Sequence, residues 1–225
     1  MSARPQAVTL ALHGALLDRD SGVAAALAPW AERHGVEADV GPLVAAFHRH
    51  EPRRLRENPE LRYPDVLELV FADLARDFGV TPTGAEAAAF GESVGDWPLF
   101  AESAEALGAL QRHVHVALVA NIDRATFTSV AGRLGGQPDV LVTAEDAGAY
   151  KPERAPFEMA LDWLSEIGVG FDAVLHTGEA RDADIAPARA MGLRTCRIDR
   201  ADEGAGEADW RVGSLNELVA AIRQM

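Results

Sequence analysis

Five short runs rich in Val, Leu and Ile recur along the chain, and stretches with helical spacing separate them. The runs cover residues 8–13, 114–121, 140–144, 173–177 and 195–198. A strand that is apolar along its length, instead of alternating, is buried on both faces, as strands of parallel sheets are. Helical patterns fill residues 103–111, 126–134, 155–167, 185–191 and 215–223. Ser214 precedes the last of these, and Glu217 follows three residues on, which is an N-terminal capping signature. This alternation predicts an α/β fold with a parallel sheet flanked by helices.

One stretch breaks the rhythm. Residues 19–94 are largely helical, with apolar spacing such as Val66, Leu69, Val70, Leu74 and Phe78. Turn signals bound it at 18–22 and 95–98. We therefore expect a Rossmann-like core from residues 1–18 and 95–225, with 19–94 inserted as an all-helical cap domain. The acidic, Gly-containing segment 201–209 reads as a surface loop.

At 225 residues the chain is long enough for a core domain plus an insert. Its net charge of −14 argues against a nucleic-acid partner, because phosphates would be repelled. No apolar run approaches the ~20 residues needed to span a bilayer. The N-terminus MSARPQAV lacks the apolar core of a signal peptide, so a cytoplasmic protein is expected. The single Cys196 offers neither a disulfide framework nor metal-ligand spacing. Lys151 is the one Lys among 21 basic residues. A general preference for Arg makes a surviving Lys informative, because Arg does not replace a compact ammonium.

In parallel sheets, ligands bind beyond the carboxyl ends of the strands. That singles out His13, Asn121, the segment 145–151 and the segment 178–184. Four sequence segments cover these ends in order: AVTLALHGALLD (7–18), ALVANIDRATF (117–127), TAEDAGAYKP (143–152) and HTGEARDADIAPA (176–188). Together they resemble the motifs of the haloacid dehalogenase (HAD) superfamily, and most closely its 2-haloacid dehalogenase branch. The resemblance implies a HAD-like Rossmannoid core with a helical cap. It also implies hydrolysis through a nucleophilic Asp at the end of the first strand.

The chemistry departs from that pattern. Ala11 stands at the nucleophile position, His13 at the second acid (or Tyr), Ala15 at a Thr, and Ala120 at the Ser or Thr of the second motif. A methyl group cannot attack carbon or phosphorus, so the covalent route is closed. Phosphatase members of the family hold Mg²⁺ with carboxylates of the first and fourth motifs. Only Glu179 and Asp184 remain here, so we expect no metal site of that type and no cofactor.

Several residues carry two readings. Lys151 is either an anion-binding ammonium or a structural Lys paired with Glu179 or Asp184. His13 is either an acid–base group, titrating near neutral pH, or a residue without a role. Asn121 reads as a turn and hydrogen-bonding residue, and Asp184 as an N-cap or first-turn residue of the 185 helix. His48, Arg49, His50, Arg53, Arg54 and Arg56 form either a solvated helix face or a basic patch above the strand ends. The leading expectation is a non-hydrolytic HAD-like protein. It would bind a small anionic ligand or a partner protein through His13, Asn121, Lys151, Glu179 and Asp184. The alternative is a repurposed enzyme with His13 and Lys151 as its acid–base pair. An active dehalogenase or phosphatase is the least favoured. A homodimer through the exposed face of the insert is compatible with either.

Overall fold

The computed structural model describes residues 4–36, 39–202, 204 and 208–225. It opens with strand β1 (Ala7–Ala11) and four helices: α1 (Arg19–Arg33), α2 (Val40–Glu57), α3 (Tyr63–Asp77) and α4 (Gly84–Gly91). Then follow α5 (Ser103–Gln111), β2 (His115–Ala120), α6 (Arg124–Ala131), β3 (Val140–Thr143), α7 (Ala144–Ala147) and α8 (Ala155–Glu166). The chain ends with β4 (Val174–Gly178), α9 (Ala186–Ala190), β5 (Arg194–Ile198), β6 (Trp210–Val212) and α10 (Leu215–Arg223). The strands form one sheet in the order β3–β2–β1–β4–β5–β6. Every pairing is parallel.

The uninterrupted apolar runs have a simple cause. Successive strand residues point to opposite faces, and both faces of this sheet are covered. In β2, Val116, Leu118 and Ala120 join the cluster that contains Leu107, Leu110, Leu218 and Ile222. Ala117 and Val119 join the other, with Phe157, Ala160 and Leu164. Burying a side chain such as Phe157 is worth about 1.5–3 kcal/mol.

The four helices after β1 pack successively, α1 on α2, α2 on α3 and α3 on α4. Their aromatic side chains meet edge to face or stacked: Trp30 on Phe71 at 5.3 Å between centroids, and Phe71 on Phe90 at 5.5 Å. In α3, Val66, Val70 and Leu74 are buried as the spacing predicts, together with Leu67 and Phe71. Leu69 and Phe78 are only half-buried.

Several boundaries differ from the sequence reading, each for a local reason. Gly22, read as part of a turn, lies inside α1. A Cβ there would come within 2.3 Å of Trp97 Cγ, so Gly22 answers to close packing. The helix expected at 126 starts at Arg124, because Asp123 accepts a hydrogen bond from Thr126 N and caps it. The helix expected over 185–191 is divided into a π-helical turn, Arg181–Ile185, and α9. Strand β6 was not foreseen; it has three residues, too few to carry a pattern, and pairs with Cys196–Ile198. Of the expected 201–209 loop, residues 203 and 205–207 lie outside the described residues, and the flanking ones carry no regular element before β6. Ser214 does cap α10, accepting from Glu217 N. Among the described residues, no helix is long and apolar enough to cross a membrane.

Candidate functional site

Because β1 lies between β2 and β4, the ends of these three strands stand side by side. Beyond them is a cavity of about 270 Å³. Its walls come from the β1 end (Ala11, Leu12, His13), Asn121, the Lys151–Pro152 segment, the 179–184 turn, Arg19 of α1, and His48, Glu51, Pro52, Leu55 and Arg56 of α2. All five residues singled out for binding line it: His13, Asn121, Lys151, Glu179 and Asp184.

One wall is a closed polar lattice. Lys151 Nζ donates to Asp184 Oδ1 at 2.6 Å, and both side chains are 4% exposed. Asp184 Oδ2 also accepts from Ala180 N at 3.1 Å. Asn121 clamps the Lys151 backbone from both sides: its Oδ1 accepts from Lys151 N at 2.8 Å, and its Nδ2 donates to Lys151 O at 3.0 Å. A Cβ on Gly178 would meet Asp184 Oδ2 at 2.4 Å, so only glycine at the end of β4 lets this carboxylate lie across the strand. The structure thus selects between the two partners proposed for Lys151: Asp184, not Glu179. Of the two readings of Asp184, N-cap or first-turn residue, the structure has the second: it lies in the first turn of the π-helical segment, and its Oδ2 accepts from the backbone N–H of Ala180 at the N-cap position.

The β1 wall is different. Ala11 ends the strand with its methyl group, 2% exposed, in the cavity lining. His13 packs between the rings of Tyr63 (5.3 Å) and Trp97 (5.7 Å). Burial, with Arg19 and Lys151 nearby, holds its pKa well below 6.5, so the imidazole is neutral. Its Nε2 has no hydrogen-bond partner among the described residues.

Arg19 was not foreseen. It lay in what read as a turn, and its partners are far away in sequence. Its guanidinium reaches Glu51 (3.3 Å), Glu179 (4.0 Å) and Nδ1 of His48 (3.3 Å). Burial works against its charge, but Glu51, Tyr63, Glu179 and Asp20 together hold it protonated. Tyr63 donates to Glu51 Oε1 at 2.6 Å, which satisfies that buried carboxylate further. Glu179 lies over Gly14, where a Cβ would fall 2.0 Å from Oε2; Gly14 also has φ +73°, a conformation that favours glycine. Burial raises the Glu179 pKa, and Arg19 opposes the shift.

The basic run of α2 divides. Arg49, His50, Arg53 and Arg54 reach Asp77 or the buried Asp73 of α3 and form an ion-pair network between the two helices. His48 and Arg56 line the cavity instead. Ala15 and Ala120 are buried outside its lining.

The HAD-type phosphatase metal does not fit these residues. A hard cation needs several oxygen ligands. Ala11 supplies none, His13 supplies nitrogen, Asp184 is occupied by Lys151 and Ala180, and Glu179 is turned to Arg19.

No family model matches the chain. It is 30% identical over 99 residues to a glyceraldehyde 3-phosphate phosphatase of Methanocaldococcus jannaschii; the match spans 41% of this chain and 42% of that protein. It is 27% identical over 211 residues to a ribulose-1,5-bisphosphate 5-phosphatase of Halopiger xanaduensis, covering 85% and 80% of the two chains. The L-2-haloacid dehalogenase of Xanthobacter autotrophicus, solved with chloropropionic acid covalently bound, superposes with a TM-score of 0.80. That pair is 16% identical, over 98% of this chain and 99% of the other.

Proposed function

We propose that this chain, which has the fold of the HAD-like hydrolases, binds a small anionic ligand in the cavity at the strand ends and does not hydrolyse it by a covalent route. The observation that carries the proposal is Ala11. A methyl group lines the cavity where the family places its nucleophile, and the nearby carboxylates of Glu51, Glu179 and Asp184 are paired with Arg19 or Lys151. Residues 19–94 would act as the cap, with α1 and α2 contributing Arg19, His48 and Arg56. The names of the two phosphatase relatives make phosphorylated small molecules a reasonable first class of probe, and the dehalogenase neighbours add small carboxylates.

A second reading is supported by His13. His13 lines the cavity, its imidazole is neutral, and its Nε2 has no hydrogen-bond partner among the described residues, which leaves a ring nitrogen to act as a base. Lys151 supports that reading less, because Asp184 already holds its ammonium.

The test has two arms. Purified protein is given p-nitrophenyl phosphate or 2-chloropropionate under single-turnover conditions, with and without Mg²⁺. No product is expected. Thermal melts in phosphate and in small carboxylates should show a rise in Tm with concentration, since a ligand of the native state stabilises it by mass action. Turnover that a cavity substitution abolishes, or melts indifferent to all anions, would remove the proposal.

A further inference from the structure

The cavity lies beyond the carboxyl ends of the strands. The opposite edge of the sheet, where β1 and β2 begin, gathers positive charge. Arg4 stands just before β1, Arg112 and His113 lead from α5 into β2, and Arg223 ends α10, which packs on α5. His113 is the meeting point. Arg4 Nη2 donates to its carbonyl at 3.2 Å, and Arg223 Nε donates to its Nε2 at 3.1 Å. A guanidinium only donates, so Nε2 holds the lone pair and the ring proton sits on Nδ1, which has no partner among the described residues. Desolvation, then Arg223, Arg4 and Arg112, hold the His113 pKa below 6.5, so the imidazole is neutral.

Among the described residues, none of the three arginines forms an ion pair, and Arg112 has no hydrogen bond. The chain has 35 acidic residues to offer them. Elsewhere guanidiniums meet carboxylates: Arg49 with Asp77, Arg54 with Asp73, Arg62 with Asp65, Arg200 with Glu102. A helix C-terminus favours a cation beside it, which accounts for Arg112 and Arg223 taken singly. It does not account for Arg4, which lies on no helix, or for the convergence of all three on one imidazole. Like charges brought together repel, and a bound anion removes that cost. Arg4 and His113 also line a groove of about 600 Å³ whose walls include Ile167 and Val169. Asp139, the carboxylate in that lining, is taken up by His115 at 3.6 Å and Val116 N at 2.8 Å.

We infer that this edge of the sheet binds the phosphate group of a small organic phosphate: Arg4, Arg112, Arg223 and the Nδ1–H of His113 hold the dianion, and the groove takes the organic body. The site is separate from the strand-end cavity, and the inference does not rest on the reading proposed for that cavity. Three cations from three parts of the chain, set around one further donor, suit a compact dianion with several oxygens. Guanidinium forks match phosphate oxygens in pairs. A monocarboxylate brings half the charge and fewer oxygens.

The probe is phenyl phosphate, followed by the NMR ring signals of the seven histidines of the full chain, with His113 identified from the spectrum of H113N. Phenyl phosphate should move the His113 signal saturably, while His48, which lines the strand-end cavity, is the internal reference. R4Q and R223Q should each weaken this binding by about tenfold, and R4Q/R112Q/R223Q should abolish it. These side chains are exposed and no carboxylate depends on them, so the variants fold; their melts without ligand should match or exceed that of wild type. Raising NaCl from about 0.1 M to about 1 M shortens the screening length from about 10 Å to about 3 Å and should weaken binding steeply. Inorganic phosphate should bind the same site more weakly, because it leaves the groove empty; equal affinity would overturn the part assigned to the groove. The site itself is overturned if His113 is indifferent to phenyl phosphate, if acetate moves it as much, or if the triple variant binds as wild type does. Movement of His48 alone would place the phosphate in the strand-end cavity, leaving anion binding there intact and overturning this second site.

Discussion

The two walls of the cavity follow opposite rules. On the β3–β4 side, Lys151, Asn121, Asp184 and Gly178 depend on one another, and every polar atom named there has a partner. On the β1 side, Ala11, Leu12 and His13 depend on nothing polar, and His13 Nε2 has no partner. The difference bears on which positions of the site tolerate change. An apolar residue at Ala11 leaves no charge stranded. A change at Lys151 or Asp184 leaves a buried ion alone, which is among the costliest single changes a fold can suffer.

The comparison fails first if the lattice proves dispensable. Asp184→Ala should cost about 3–5 kcal/mol in urea unfolding, because it strands the Lys151 ammonium. Lys151→Met should also lower stability in the absence of ligand, and a double Lys151→Met, Asp184→Leu variant should recover part of the loss. Equal, independent losses that simply add would mean that the pair is not coupled.

A second test uses protons. His176 in β4 is fully buried against Phe157, and its Nδ1 is 2.9 Å from Thr9 Oγ1. Burial lowers its pKa from 6.5 to about 4, with Lys151 adding to the shift and Asp184 opposing it. The unfolded chain therefore binds this proton more readily than the folded one. The contribution is complete above pH 6.5 and is lost as pH falls through about 4; at its limit it amounts to about 3 kcal/mol. Unfolding curves for wild type and His176→Asn should converge in slope between pH 6.5 and 4 if this is wrong, and differ if it is right.

Smaller effects sharpen the contrast. Asn121→Ala removes two hydrogen bonds from the Lys151 backbone and should cost about 1–3 kcal/mol by the same unfolding assay. Arg49→Ala breaks the exposed pair with Asp77 on the outer face of α2 and should cost about 0–1 kcal/mol. A loss at Arg49 as large as at Asn121 would show that burial is not what divides the two sets.

Much of the fold can be read in the sequence, because strands covered on both faces must be apolar throughout and the helices between them keep their period. Five strands, the helical stretch and the cap at Ser214 follow from such local rules. Lys151 and the strand-end residues could be located for the same reason: topology puts strand ends together. Arg19, Glu51 and the separation of Arg56 from its neighbours could not. Their roles depend on contacts between α1, α2 and the 179–184 turn, and an Arg in a helix looks the same whether its partner is a distant carboxylate or water. Asp184 was legible as a first-turn residue, and one of its oxygens does serve the Ala180 N–H; that its other oxygen holds Lys151 depends on the approach of a residue 33 positions away.

The central place of β1 has a consequence for how this molecule assembles. Ala7 pairs with His115 on one side and Val174 on the other, so β1 waits for two neighbours that both follow it in the chain. Contacts so far apart in the chain are slow to form, because the intervening loop must close before they give any return. The helices α1–α4 make their contacts among near neighbours and can condense at once. Translation at about 5–20 residues per second therefore leaves an apolar strand with two unpaired edges, beside a folded helical cluster, for several seconds. Its refolding yield should thus depend on chain concentration well before its native stability becomes limiting.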